Sequence, residues 1–172
     1  MALRRLILGG LLILLASTSV ADPLGPGDVP PPLVGWTRGG DRVNLTDYVG
    51  KAVIVTFWAT WCTYCIKELP VLEKVQRLAG PGNMIVFAVN IEDRQVFRRI
   101  APIMAEEFRL TLLRDADGDV QKTYGVVSLP HMVIIGRDGH IQRVWHGYSP
   151  DKLDEIIADI NKALAAPKSA AP

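Results

Sequence analysis

Apolar residues along this chain fall into blocks whose spacing switches between a strand period and a helix period. Val53 to Phe57 is almost continuously apolar and β-branched, the pattern of a strand buried on both faces. Met84 to Val89 repeats it. Between them, Cys62 to Leu78 reads as a helix. At about 100° per residue, Cys65, Leu69, Leu72, Val75 and Ala79 gather on one face. Glu68 falls inside that apolar arc, between Leu72 and Val75, whereas Lys67, Glu73, Lys74 and Arg77 fall on the opposite side. Arg94 to Phe108 is predicted to be helical, with Pro102 expected to kink or split it. Asp119 to Tyr124 reads as a short helix. Met132 to Ile135 and Ile141 to Trp145 read as strands joined across the Arg137-Asp138-Gly139 turn. Ser149 as N-cap, Pro150 at the first helical position, and Leu153, Ile156, Ile157, Ile160 and Leu164 at helical spacing mark the last helix. Leu33 to Trp36 and Arg42 to Leu45 flank a turn-rich Thr-Arg-Gly-Gly-Asp and read as a small hairpin.

The order strand–helix–strand, further helix, hairpin, helix predicts an α/β sheet covered on both faces. Parallel strands in the first half are joined by a crossover helix. A chain of 172 residues is one domain's worth, expected over residues 33–165. Asp22 to Pro32, rich in proline and glycine, reads as a linker or extended arm, and residues 166–172 as a disordered low-complexity tail. Residues 1–21 read as a targeting segment. Arg4 and Arg5 form a basic start, Leu6 to Ala16 an apolar stretch, and Ser19-Val20-Ala21 a small-residue cleavage site. The apolar stretch is short for a membrane span, which needs about 20 residues; an uncleaved anchor is the alternative. The net charge of +1, with both signs interspersed, gives no field of the kind that nucleic-acid binding requires.

Only two cysteines are present, spaced C-x-x-C. Export implies an oxidising compartment, yet a bridge closing so small a loop removes little chain entropy and is a poor staple. A buried strand runs into this pair and a helix leaves it, so Cys62 falls at or near a helix N-terminus. Unpaired N–H groups and the positive end of the helix dipole favour a thiolate there, and the thiolate is the nucleophile. Cys65, one turn on, is close enough to resolve a mixed disulfide. A zinc site would need four ligands, and the only other cysteine or histidine candidates, His131, His140 and His146, lie far along the chain. No metal site is expected. Strand alternation puts His131 and Met132 on opposite faces, one at a rim and one in the core. Asp115, Asp117, Gly118 and Asp119 read as a turn and helix cap. A calcium loop would need a glutamate where Val126 stands.

Trp61-Cys62-Thr63-Tyr64-Cys65, followed by Glu68 and Pro70, resembles the W-C-x-x-C-x-x-E-x-P pattern of the TlpA/ResA/DsbE group in the thioredoxin superfamily. Tyr124-Gly125-Val126-Val127-Ser128-Leu129-Pro130 resembles the approach to that family's cis-proline, and Asp138-Gly139 its hairpin turn. The resemblance covers roughly Leu33 to Leu164. It implies a thioredoxin-like α/β fold with an N-terminal β-hairpin extension and a strand–helix insert. It also implies an exported thiol–disulfide oxidoreductase that reduces disulfide-bearing protein substrates, apocytochrome c or other extracytoplasmic proteins, and works as a monomer without a cofactor. Cys62 would attack, Cys65 resolve and Glu68 move protons, while Trp58, Trp61, Leu129 and Pro130 would line the docking surface. Electrons would come from a membrane thiol reductant of the DsbD/CcdA kind. Two departures stand out. Thr56 occupies the position, six before Cys62, where thioredoxin has a buried aspartate. Ser128-Leu129-Pro130-His131-Met132 replaces the Gly-Ala-Pro-Glu-Thr typical of the cytochrome c-maturation members. Two alternatives remain: a disulfide-introducing oxidase, and a copper-binding or relay protein using Cys62, Cys65 and His131.

Overall fold

The computed structural model describes residues 23–169. The expected targeting segment and the last three residues of the tail lie outside the described residues. The chain forms β1 (Leu33–Trp36), β2 (Arg42–Asn44), β3 (Ala52–Trp58), α1 (Thr63–Ala79), β4 (Met84–Asn90), α2 (Arg94–Glu107), β5 (Thr111–Arg114), α3 (Asp119–Thr123), β6 (His131–Ile135), β7 (Ile141–His146) and α4 (Leu153–Ala165). The strands make one seven-stranded sheet in the order β2-β1-β5-β4-β3-β6-β7. β3, β4 and β5 run parallel, joined through α1 and α2, and the remaining neighbours are antiparallel. Every residue of β3 is buried, as its unbroken apolar run requires.

Two apolar layers sandwich the sheet. On one face Ile54, Trp58 and Met132 pack with Leu69 and Leu72 of α1 and Ile156 and Ile160 of α4. On the other, Val55, Phe57, Val89 and Val133 pack with Val120 and Tyr124. The expected α/β class with helices on both faces is therefore the observed one.

Three expectations need correction or extension. The periodicity assigns no residues to β5, which the resemblance implies only as the strand of a strand–helix insert. Its four residues pair with only Phe87 to Asn90 and Trp36, too short a run to declare a period. Pro102 does not split α2, which runs continuously past it. The proline removes one donor, from the Arg98 carbonyl, and it sits on the exposed side where water can replace that bond. Ser149 caps a 3-10 turn at Pro150–Lys152, accepting from the Asp151 N–H at 3.3 Å, and α4 begins only at Leu153.

The proline-rich arm lies against the sheet. The Gly27 N–H donates to the Ile141 carbonyl at 2.8 Å and the Ile141 N–H to the Asp28 carbonyl at 2.9 Å. The Tyr124 hydroxyl donates to the Pro31 carbonyl at 2.8 Å. At the other terminus the Ser169 N–H donates to the Arg137 carbonyl at 3.0 Å. Asp115 is buried and its carboxylate accepts from the Val120 and Gln121 N–H groups at 3.1 and 2.7 Å, the cap expected at the start of α3. Among the described residues no helix is long and apolar enough to cross a membrane.

Candidate active site

The site forms where β3 ends. The chain leaves the sheet at Trp58, turns with the Cys62 N–H donating to the Ala59 carbonyl at 3.1 Å, and enters α1 at Thr63. Cys62 is the N-cap residue, in extended conformation. Its sulfur accepts from the Cys65 N–H at 3.2 Å, so it takes one of the donors that a helix start leaves unpaired. The two cysteines are joined in a disulfide, with Cα atoms 5.2 Å apart. Cys62 is 7% exposed and Cys65 0%. A partner can therefore approach the pair only through Cys62. The same helix dipole and free N–H groups that cap the disulfide would stabilise a Cys62 thiolate after reduction.

One helical turn on from Cys65 stands a carboxyl group. Glu68 is 1% exposed, on the apolar face of α1 where the periodicity put it. The Thr56 hydroxyl of β3 donates to its Oε2 at 2.6 Å, while Oε1 has no partner among the described residues. Burial pushes the Glu68 pKa up to about 7, against a smaller downward pull from the Thr56 hydroxyl. The threonine at position 56 thus does not leave this part of the core without an acid. The acid comes from the helix and the strand supplies its hydrogen-bond donor.

The rim is built by β6. The Leu129–Pro130 peptide bond is cis. β3 and β6 pair out to Phe57 opposite His131, which brings Pro130 beside the end of β3. Pro130 is buried and Leu129 half-buried, and the Pro130 carbonyl accepts from the Gly147 N–H at 2.7 Å. Trp61 and Tyr64, on either side of Cys62 in the chain, and Val127, three residues before Pro130, are large apolar side chains left in water, 68, 55 and 88% exposed.

Trp58 does not line this surface. It is 0% exposed, because alternation along β3 turns it the same way as Thr56 and Ile54, into the layer under α1. The expectation of one rim and one core residue at His131 and Met132 does not hold: both are buried. Phe57 and His146 cover the His131 ring at centroid distances of 5.9 and 4.8 Å. Burial lowers its pKa to about 4, with His146 adding to the effect, so the ring is neutral at pH 7. Its contact with Phe57 puts it in the layer across the sheet from the cysteines. Among the described residues no group of three or more histidines, cysteines or acids comes together as a metal site.

One site residue escaped the sequence reading. Glu92, in the loop after β4, accepts hydrogen bonds from Thr60, two residues before Cys62. An acid in a loop has no period, and its partner lies 32 residues away, so no pattern in the sequence marks it. An apolar cavity of about 310 Å³, lined by Val29, Pro32, Leu45, Tyr48 and Ile135 among others, lies at the opposite end of β3, near Val53, and takes no part in the site.

Residues 27–144 match the AhpC/TSA family. The thioredoxin-like protein YneN of Bacillus subtilis is 32% identical over 127 residues, spanning 73% of this chain and 74% of that one. The thiol-disulfide oxidoreductase ResA of Bacillus thuringiensis subsp. konkukian is 27% identical over 122 residues, 70% of each chain. A crystal structure of a protein assigned as thiol:disulfide interchange protein DsbE from Chlorobium tepidum superposes with a TM-score of 0.74. It is 27% identical and covers 82% of this chain and 99% of its own.

Proposed function

This chain belongs to the AhpC/TSA family and is a thioredoxin-like thiol–disulfide oxidoreductase, and from that premise we propose that it reduces protein disulfides outside the cytoplasm. The observation that carries the reading is the unequal pair at the start of α1, an outer Cys62 and a fully buried Cys65 with a buried acid one turn on. In the reduced protein the Cys62 thiolate attacks one sulfur of a substrate disulfide. A Cys62–substrate bond forms, and the other substrate sulfur leaves as a thiolate and is protonated. Cys65 then gives its proton to the Glu68 carboxylate and attacks Cys62. The Cys62–Cys65 disulfide forms, and the second substrate sulfur leaves as a thiolate and picks up a proton. Two electrons pass to the substrate, and the protein ends oxidised.

The raised Glu68 pKa suits this role, since a group poised near neutrality can both take and return a proton. Trp61, Leu129 and Pro130 form the docking surface. The Leu129 backbone would pair with an extended substrate segment. The targeting pattern in residues 1–21 supports export. A membrane thiol reductant of the DsbD/CcdA kind would then restore the dithiol, and apocytochrome c is one substrate class that fits. The test is turnover of a disulfide-bonded protein such as insulin with dithiothreitol as donor. Cys62→Ser should abolish it. Turnover that persists in Cys62→Ser, or a wild-type protein that only oxidises dithiols, would overturn the proposal.

A further inference from the structure

The turn that carries Cys62 has no sheet or helix ladder to hold it. Between Trp58 and Thr63 its own internal bond is the Cys62 N–H to the Ala59 carbonyl. The rest of its hold comes from across the site. The Ile91 N–H donates to the Trp58 carbonyl at 3.1 Å. Glu92 follows, and three donors converge on its carboxylate. Its Oε2 accepts from the Thr60 backbone N–H at 2.7 Å and from the Asn90 amide at 3.0 Å, and its Oε1 accepts from the Thr60 hydroxyl at 2.8 Å. Asn90 is fully buried at the end of β4, and its Oδ1 accepts from the Glu92 N–H at 3.0 Å. Amide and acid therefore fix one another, and the acid grips Thr60 at two points. Hydrogen bonds to an ionised acceptor are about twice as strong as neutral ones.

We propose that Glu92 is a positioning residue for thiol–disulfide exchange, its carboxylate clamping Thr60 so that Cys62 keeps its place at the N-terminus of α1 when the disulfide opens. The proposal rests on the oxidoreductase reading above. Reduction removes the covalent tie between Cys62 and Cys65 and frees the Cys62 side chain. A thiolate gains from the helix N–H groups only if its backbone stays at the cap. The two bonds to Thr60 are made upstream of the cysteines and survive the loss of the disulfide. The charge itself is engaged by Thr60 and Asn90, not by sulfur.

The test compares Glu92→Ala, Glu92→Gln, Thr60→Val and Thr60→Ser by the rate of Cys62 alkylation against pH and by the equilibrium of the cysteine couple with glutathione. Glu92→Ala, which removes both bonds to Thr60, should slow alkylation at pH 7 about tenfold, the free-energy equivalent of about one charged hydrogen bond, and move the thiol titration to higher pH. Thr60→Val, which removes one bond and leaves the fold in place, should move both readings the same way by less. Thr60→Ser, which restores the hydroxyl, should recover them. Glu92→Gln keeps shape without charge and should fall between Glu92→Ala and wild type. Alkylation that is unchanged or faster in both Glu92→Ala and Thr60→Val would overturn the clamp, because loss of a nearby negative charge alone would speed it. An active wild-type protein with unmoved variants would sink the clamp alone. A wild-type protein with a clamp-dependent Cys62 and no exchange with any protein disulfide would sink the oxidoreductase direction and leave the clamp standing.

Discussion

Replacing Glu68 by glutamine should make the protein's stability less dependent on pH, in a direction that burial dictates. Glu68 keeps its proton in the folded chain up to about pH 7, while in the unfolded chain it titrates at its ordinary 4.5. Between those values the folded state binds more protons than the unfolded state, so stability falls as pH rises. The difference between 4.5 and about 7, at about 1.36 kcal/mol per pH unit, is a loss of about 3 kcal/mol that is complete above pH 7 and absent below about pH 4. Glutamine has the same shape and can still accept from the Thr56 hydroxyl, but it does not titrate. Urea unfolding of the oxidised protein, followed by tryptophan fluorescence at several values between pH 4.5 and 8, gives the two stability curves. The Glu68→Gln protein should gain on wild type by about 3 kcal/mol across that range, with most of the gain between pH 5 and 7. All other titrating groups are shared, so the difference isolates this one. Parallel curves would refute the reasoning, and so would a gain that appears only below pH 5. The same substitution should slow resolution of the mixed disulfide and flatten its pH dependence. A stability change without that kinetic change would leave Glu68 a buried acid with no part in exchange.

Other expectations follow from the site. Cys65→Ser should accumulate mixed disulfides through Cys62 and Cys62→Ser should not; adduct mapping by mass spectrometry decides, and labelling through Cys65 would reverse the roles. The reduced Cys62 thiol should be alkylated faster at neutral pH than a free cysteine, since a helix start favours the thiolate, as alkylation against pH would show. The cysteine couple should equilibrate nearer thioredoxin, about −270 mV, than DsbA, about −120 mV; a value at the oxidising end would favour the oxidase reading. His131, with its pKa lowered from 6.5 to about 4, should cost stability as pH falls between those values. His131→Phe should therefore move the midpoint of acid unfolding to lower pH, and an unmoved midpoint would mean the ring is already protonated when folded.

The parts of this fold that were legible in the sequence are those written as a period. β3 and β4 declare themselves by unbroken apolar runs, α1 by its apolar face, and Glu68 by standing on that face among the wrong neighbours. Cys62 was legible as a helix cap because a buried strand and a helix meet there. What stayed hidden depends on contacts between distant segments. Trp58 looked like part of a docking surface because it sits beside the cysteines in sequence, yet strand alternation turns it inward with Thr56. Alternation asks for one of His131 and Met132 at a rim, yet both are buried, His131 because His146 of the neighbouring strand closes over it. The Thr56–Glu68 pair joins a strand to a helix, and the Glu92–Thr60 clamp joins two loops. Neither follows from spacing, because a hydrogen bond between loops obeys geometry that only the assembled sheet creates.

The arm before β1 covers part of a sheet edge on which another chain could otherwise add. β7 is the last strand of the sheet, and an outer strand offers unpaired N–H and C=O groups on which another chain can add. Gly27 and Asp28 occupy that position at Ile141, pairing with both its N–H and its carbonyl. At the far side the outermost strand, β2, is only three residues long, too short to template much. The sheet is thus blunted at both margins, by a borrowed segment on one and by brevity on the other. A domain cut to begin at Leu33, where the first regular element starts, would keep every strand and helix but bare the start of β7, and its characteristic failure would be edge-to-edge aggregation.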